Sequence, residues 1–104
     1  MKKKEVEAKL EVLEDNGIVS QIFLHAIGLD YYDGINVGNG KKVKCYRNYF
    51  CASNVPKSIQ SYIDNGYIEC TKEGDGYHYW YFKVTKKGFT WLSGLLDIKV
   101  EEDE

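Results

Sequence analysis

Apolar residues recur at helical spacing in the N-terminal part of the chain. They predict an amphipathic helix from about residue 2 to Asp15, with apolar positions at Val6, Leu10 and Leu13. A second, more deeply buried helix is predicted up to about Gly28 from a broader stripe formed by Val19, Ile22, Phe23, Ala26 and Ile27. His25 lies off this stripe, and we expect it at the surface or at a helix end.

The pattern then changes from helical to irregular and then to alternating. Residues 30–42 are rich in glycine and asparagine, and we expect a flexible loop there with room for a short hairpin. Residues 43–51 predict a strand rich in aromatic residues. We expect Tyr46 and Phe50 of this strand in the core.

The C-terminal half predicts a helix, a hairpin and a last helix. Residues 55–65 have one apolar side, with capping residues just before them and Pro56 in the first turn. Residues 67–71 and 77–84 predict two antiparallel strands joined by a polar, glycine-rich turn, and their core face is formed by Ile68, Cys70, Trp80 and Phe82. Thr85 is expected to cap a helix that reaches about Asp97, and the chain beyond Val100 is expected to fray.

This order of elements predicts an α+β fold of the winged helix-turn-helix type, with helices packed on a small antiparallel sheet of about three strands. The helix at 55–65 takes the recognition position, and the hairpin after it is the wing. Residues 1–100 would form one such domain with an appended N-terminal helix. Residues 101–104 would form an acidic tail.

Length and charge narrow the function classes. A chain of 104 residues is long enough for one core only. It has neither an apolar run of membrane-spanning length nor the hydrophobic stretch of a signal peptide, so we expect a cytoplasmic protein without membrane contact.

The net charge of -2 conceals ten basic against five acidic residues between positions 41 and 99. Such a basic body is a reason to test for polyanion binding.

Catalysis and metal binding have little support in the sequence. The motifs of hydrolases and zinc proteases are absent, so we expect no enzyme, no catalytic residue and no cofactor. The three cysteines, Cys45, Cys51 and Cys70, form no close pair. We interpret them as reduced thiols, at least two of them facing a core; a zinc site that adds a histidine is the alternative.

Four segments together resemble a family of small phage and prophage proteins. They are HAIGLD at 25–30, YRNYF at 46–50, IDNGYIE at 63–69 and YFKVTKKG at 81–88. The last two are also similar to the wing and closing helix of MarR- and PadR-type winged-helix regulators. The resemblance implies a winged-helix-like protein of a phage or mobile element, but no biochemical function. The extra N-terminal helix, the longer loop and the acidic tail depart from the family pattern.

DNA binding by the recognition helix and the wing is the leading hypothesis. Side chains that can hydrogen-bond base edges or neutralise phosphates are Lys57, Ser58, Gln60, Ser61, Lys72, Tyr79, Lys86 and Lys87. The first turn of the helix would also offer free N–H groups to an anion. Four carboxylates nearby, Asp64, Glu69, Glu73 and Asp75, oppose phosphate binding.

The alternative is a protein-interaction module that inhibits or recruits a host factor without binding DNA. Its contacts would come from an alternating ladder on the outer face of the hairpin, Tyr77, Tyr79 and Tyr81, together with the acidic tail and the loop at 30–42. The alternative for the ladder is that the N-terminal helix or the long loop covers it. Arg47 would bind a phosphate or carboxylate of a partner, or it would form an internal ion pair with Asp30 or Asp33. We favour the internal ion pair. A homodimer built on the first helix or on Trp91 is a further expectation.

Overall fold

The structure, a computed structural model, describes residues 1–30, 35–38, 40–72 and 80–102. These residues form an α+β fold with helices α1 (Lys3–Asp15), α2 (Gln21–Ile27), α3 (Gln60–Asp64) and α4 (Lys86–Leu96). The strands are β1 (Lys42–Cys45), β2 (Phe50–Ala52), β3 (Ile68–Lys72), β4 (Trp80–Val84) and β5 (Lys99–Glu102), and a 3₁₀ turn (Lys57–Ile59) leads into α3. The predicted α+β class with a small antiparallel sheet is therefore confirmed.

The first helix is part of the core. Its apolar stripe of Val6, Leu10 and Leu13 is buried, as the spacing predicts. The ammonium of Lys9 donates a hydrogen bond of 3.0 Å to the carbonyl of Leu96, which lies in the last turn of α4. A cation at this end of a helix satisfies a carbonyl that has no partner within the helix.

The three-stranded sheet has the order β2-β4-β3 and is antiparallel throughout. Ile68 faces Val84 and Cys70 faces Phe82 across β3 and β4, so the predicted core face of the hairpin is confirmed. Phe50 lies opposite Phe82 on the other side of β4, and the two rings stack with centroids 4.6 Å apart. This stack joins β2 to the hairpin.

The prediction of a single strand over residues 43–51 is wrong. The chain leaves β1 after Cys45 and enters β2 only at Phe50, and the two strands belong to different sheets. Tyr46, expected in the core, is 61% exposed. Its ring lies against Gly28, at the place where a side chain on that left-handed residue would stand.

The prediction that the chain frays beyond Val100 is wrong for Glu101 and Glu102, which belong to strand β5. β5 pairs with β1 in a parallel two-stranded sheet, with Val43 opposite Val100. The carboxylate of Glu101 lies 3.1 Å from Lys42 and 3.6 Å from Lys99, and the hydrogen bond from Lys42 lowers the pKa of Glu101. Two ion pairs and a neighbouring strand therefore hold part of the expected tail. Residues 103 and 104 lie outside the described residues.

Burial decides the chemistry of Cys45 at the end of β1. The thiol is fully buried in the core cluster. Burial, and next to it the charge of Glu102 on β5, raise the pKa of Cys45 to about 12, because a thiolate loses hydration there. Cys45 is therefore an unreactive core residue.

One isolated antiparallel bridge joins the described part of the predicted loop to β1, and the short hairpin within residues 30–42 stays a prediction. The amide of Lys44 donates to the carbonyl of Asn36 over 3.0 Å, and Ile35 is buried. The N-terminal ammonium of Met1 donates to the carbonyl of Gly40 over 2.7 Å. These bonds attach the loop to β1 and to the chain start.

Trp91 packs inside the protein, on the side of α4 that faces α2 and α3. Its ring stacks on Tyr67 with centroids 4.8 Å apart and meets the edge of Phe23 at 5.4 Å. Tyr62 of α3 completes the cluster. A dimer interface built on Trp91 would have to share this side chain with the core, and self-association remains a prediction.

Candidate nucleic-acid interface

The candidate recognition segment at 57–64 is a short helix anchored by two side chains. Ile59 and Tyr62 are buried. The hydroxyl of Tyr62 accepts a hydrogen bond of 2.9 Å from the amide of Ser20 and donates one of 3.3 Å to the carbonyl of Ile18. The segment is therefore fixed to the start of α2, and its opposite side faces solvent.

The beginning of this segment differs from the prediction. The first turn is 3₁₀, with the amide of Ile59 bonded to the carbonyl of Pro56. Pro56 is the cap residue before the turn rather than a residue within it, and no side chain caps the turn at this position. The α-helical part, α3, has five residues. The predicted anion site at the first turn would therefore use the N–H groups of a 3₁₀ turn, and it stays a prediction.

The exposed side of the segment carries the residues predicted for base and phosphate contacts. Its members are Lys57, Ser58, Gln60 and Ser61, all exposed. The amide of Gln60 donates to Asp64 over 3.0 Å. The side chains of the other three make no hydrogen bond or ion pair within the described residues. These side chains are free for an external ligand.

Two further predicted residues, Lys86 and Lys87, begin α4, which Thr85 attaches to the turn after this segment. The hydroxyl of Thr85 donates to the carbonyl of Gly66 over 2.6 Å and accepts from the amide of Gly88 over 3.1 Å. The first of these bonds ties the start of α4 to the turn that ends α3. The second caps α4, as predicted.

The start of α4 packs closely on Tyr67 because residue 88 is a glycine, a role that the sequence analysis did not identify. A side chain at Gly88 would collide with the carbonyl of Tyr67. The ammonium of Lys87 lies 5.6 Å from the centre of the Tyr67 ring, a cation–π distance. The available signal was the V-T-x-x-G segment, in which the glycine follows the cap by three positions.

The wing contributes less to the described surface. Lys72 pairs with Trp80 at the end of the hairpin. The predicted contacts of Tyr77 and Tyr79 lie outside the described residues, as do those of the Lys72 side chain. Tyr81 stands on the face opposite Phe82, between Cys51 and Thr71 in register, and is half-buried.

Arg47, the other predicted interaction residue, is partly exposed and is paired with groups of the protein itself. Its guanidinium donates to the carbonyl of His25 from Nε over 2.9 Å and from Nη2 over 2.6 Å. It also lies 3.5 Å from Asp30, whose other oxygen is 2.7 Å from Nδ1 of His25. The predicted internal pair with Asp30 is confirmed, and His25 lies at a helix end as expected. Arg47 thus caps the C-terminal end of α2.

Asn48 is the side chain that sequence reasoning missed. Its amide nitrogen donates to the carbonyl of Val84 over 2.9 Å, and its oxygen accepts from the amide of Val84 over 2.7 Å. The side chain thereby replaces a partner strand at the end of β4. The available signal was an asparagine within an otherwise strand-like run, where this residue type is disfavoured.

The cysteines and histidines do not converge. Cys51 is exposed and Cys70 is half-buried, so the prediction that two of the three thiols face the core holds for Cys45 and, in part, for Cys70. Within the described ranges there is no group of three or more side chains able to hold a metal ion. In the same ranges no helix is long and apolar enough to cross a membrane.

The surface made by residues 57–64 together with Lys86 and Lys87 is named here the α3 surface. It presents three ammonium groups, two free hydroxyls and the Gln60–Asp64 pair. Its chemistry is that of polar, positively charged recognition. Comparison with known proteins gives no match, neither to a family model, nor to a curated protein, nor to a solved structure.

Proposed function

We propose that this chain is a small winged-helix-like DNA-binding regulator of the phage or mobile-element type, without catalytic activity or cofactor. The observation that supports the proposal is the junction at Thr85, which ties the start of α4, with Lys86 and Lys87, to the turn that ends the segment 57–64. A helix followed by an antiparallel hairpin and a closing helix is the order of a winged helix. Residues 28–56, with β1 and β2, separate α2 from the recognition segment, which departs from a simple helix-turn-helix.

The α3 surface has the groups for contacts within one major groove. That groove is about 12 Å wide and admits a helix, whose diameter with side chains is about 10–12 Å. Ser58, Gln60 and Ser61 would contact base edges there. Lys57, Lys86 and Lys87 would contact phosphates on either side.

Three lysines predict modest affinity with a measurable dependence on salt. Each neutralised phosphate contributes about -0.9 to the slope of log K against log salt concentration, so the slope should be about -3. Asp64 opposes a phosphate on the same surface and reduces the affinity further. Without an arginine on the α3 surface, the discrimination between base pairs should be limited.

The test is fluorescence anisotropy of a labelled duplex of about 20 base pairs between roughly 50 and 200 mM salt. Lys87→Gln should lower the slope by about 1. Lys4→Gln, which removes an exposed lysine of α1, is the matched control and should leave it unchanged.

Equal effects of the two variants, or an affinity independent of salt, would contradict DNA binding by the α3 surface. The protein-interaction alternative predicts no binding of the duplex. Its affinity for a protein partner should persist as salt rises, because an interface of aromatic residues does not depend on counterion release. Capture of a protein partner by the immobilised chain should then be unaffected by nuclease.

A further inference from the structure

The solvent side of α1 carries a row of residues at helical spacing, named here the outer α1 face. Positions 4, 8 and 12 follow one another at intervals of four, and positions 11 and 15 lie beside them. The members of this face are Lys4, Ala8, Glu11, Val12 and Asp15, all exposed. Val12 is 57% exposed although it is apolar. The buried stripe of α1 lies on the opposite side of the helix, so this face is open to a partner.

The three charges of the outer α1 face are placed against the local preferences of a helix. Lys4 stands in the first turn, where free N–H groups favour an anion, and Asp15 is the last helical residue, where free carbonyls favour a cation. Glu11 and Asp15 lie four positions apart, so their carboxylates repel each other. These three side chains make no hydrogen bond or ion pair with any residue that the structure describes. The arrangement therefore destabilises a single helix, and only an outside partner can compensate it.

The same charges complement a second copy of α1 that runs antiparallel to the first. A two-fold axis at Ala8 brings position 4 of one helix level with position 12 of the other, because both lie four residues, about 6 Å, from Ala8. The ammonium of Lys4 then reaches the partner's Glu11 and the partner's Asp15. Its aliphatic stem covers the partner's Val12. A parallel pair would instead place like charges opposite each other, so the charges specify the antiparallel arrangement.

Ala8 makes the close approach of the two helices feasible. Its side chain is a single methyl group at the crossing point, which suits the roughly 8–10 Å between the axes of packed helices. Because the axis is two-fold, each contact of Lys4 occurs twice in the pair.

We propose that the outer α1 face binds the same face of a second copy of this chain, in an antiparallel two-fold pair of helices. Two clusters of Lys4 with the partner's Glu11 and the partner's Asp15 flank the apolar centre. The contact covers one face of one helix, so the dimer belongs to the weak class that buries less than about 1200 Å². The proposal gives the homodimer expected on the first helix a defined surface, and it does not rest on DNA binding.

The test is the self-association of the full chain in the absence of DNA, measured by sedimentation velocity between roughly 10 μM and 1 mM protein. The unmodified chain should form dimers in this range. Lys4→Glu and Glu11→Lys each bring like charges together across the axis, and each should raise the dimer Kd about tenfold. Lys57→Glu makes the same charge change on the α3 surface and should alter the Kd less than about twofold.

An equimolar mixture of the Lys4→Glu and Glu11→Lys chains should associate again. The new carboxylate of one chain then faces the new ammonium of the other, and a native Lys4–Glu11 contact is kept on the other side of the axis. Both substitutions follow the preference of the helix dipole, so the helicity by circular dichroism should be equal or higher. Lost association is thereby separated from lost folding.

Three results would overturn the proposal: a monomer over the whole concentration range, single variants that associate like the unmodified chain, or a mixture that fails to recover. No DNA enters this assay, so failure of the regulator proposal leaves its result interpretable.

Discussion

The segment 46–50 and the α3 surface use their side chains in opposite ways. In the segment 46–50, Arg47 caps α2, Asn48 completes β4 and Phe50 stacks on Phe82. On the α3 surface, the side chains of Lys57 and the two serines make no hydrogen bond or ion pair in the described part of the chain. Three residues of YRNYF therefore hold the fold together, whereas Lys57 and the two serines lie outside all four resemblance segments.

Removal of the Asn48 amide should have the largest effect on stability. Asn48→Ala leaves both backbone groups of Val84 without their partner, which should cost about 2–4 kcal/mol in the free energy of unfolding by urea. Asn16→Ala removes one exposed hydrogen bond, to the carbonyl of Val12, and should cost less than about 1 kcal/mol. Similar losses in the two variants would show that the segment 46–50 is not part of the framework.

The two glycines of α4 should respond with opposite signs. A methyl group at Gly88 meets the carbonyl of Tyr67, whereas at Gly94 it meets open space. Gly88→Ala should therefore destabilise the protein by about 1–3 kcal/mol. Gly94→Ala should stabilise it by about 0.5–1 kcal/mol, because alanine is the better helix former. Thermal unfolding of both variants gives the signs, and a stable Gly88→Ala protein would contradict the close junction beside the α3 surface.

Arg47→Lys tests whether geometry or charge matters at the end of α2. Lysine keeps the charge near Asp30 but loses the fork that makes two hydrogen bonds to the carbonyl of His25. The expected loss is about 1–2 kcal/mol in urea unfolding. DNA affinity measured on the folded variant should stay unchanged, since Arg47 lies outside the α3 surface, and a selective loss of binding would move it into the interface.

Gln60→Ala should have the smallest effect on stability. It removes only the exposed pair with Asp64, worth about 0.2–0.5 kcal/mol. The same change should weaken binding to a preferred duplex by about tenfold, if Gln60 reads a base edge. Unchanged affinity beside unchanged stability would assign Gln60 to an ordinary solvated helix face.

The sequence was sufficient for elements whose signals are local. Periodic apolar residues located α1 and α2, alternation located the hairpin, and Thr85 marked the start of α4. The exposure of the side chains on the α3 surface also followed from helical spacing. The short 3₁₀ start at Lys57 did not follow, because its geometry depends on how Ile59 and Tyr62 meet α2.

Long-range pairing lay beyond the reach of the sequence. β1 and β5 pair Lys42 with Lys99. No local sequence signal near either strand indicates which strand is its partner. The break between β1 and β2 has the same origin, because the side chain of Asn48 takes the hydrogen bonds of a backbone that lies 36 positions away.

The sequence by itself thus determined the local backbone conformation and which side of each element is apolar, since both depend on only a few neighbouring residues. The tertiary structure alone decided which distant segments meet. It brought HAIGLD and YRNYF together at Arg47, tied the start of α4 to the turn after α3, and paired β1 with β5. Such contacts form because buried polar groups must find partners wherever the packed core places them.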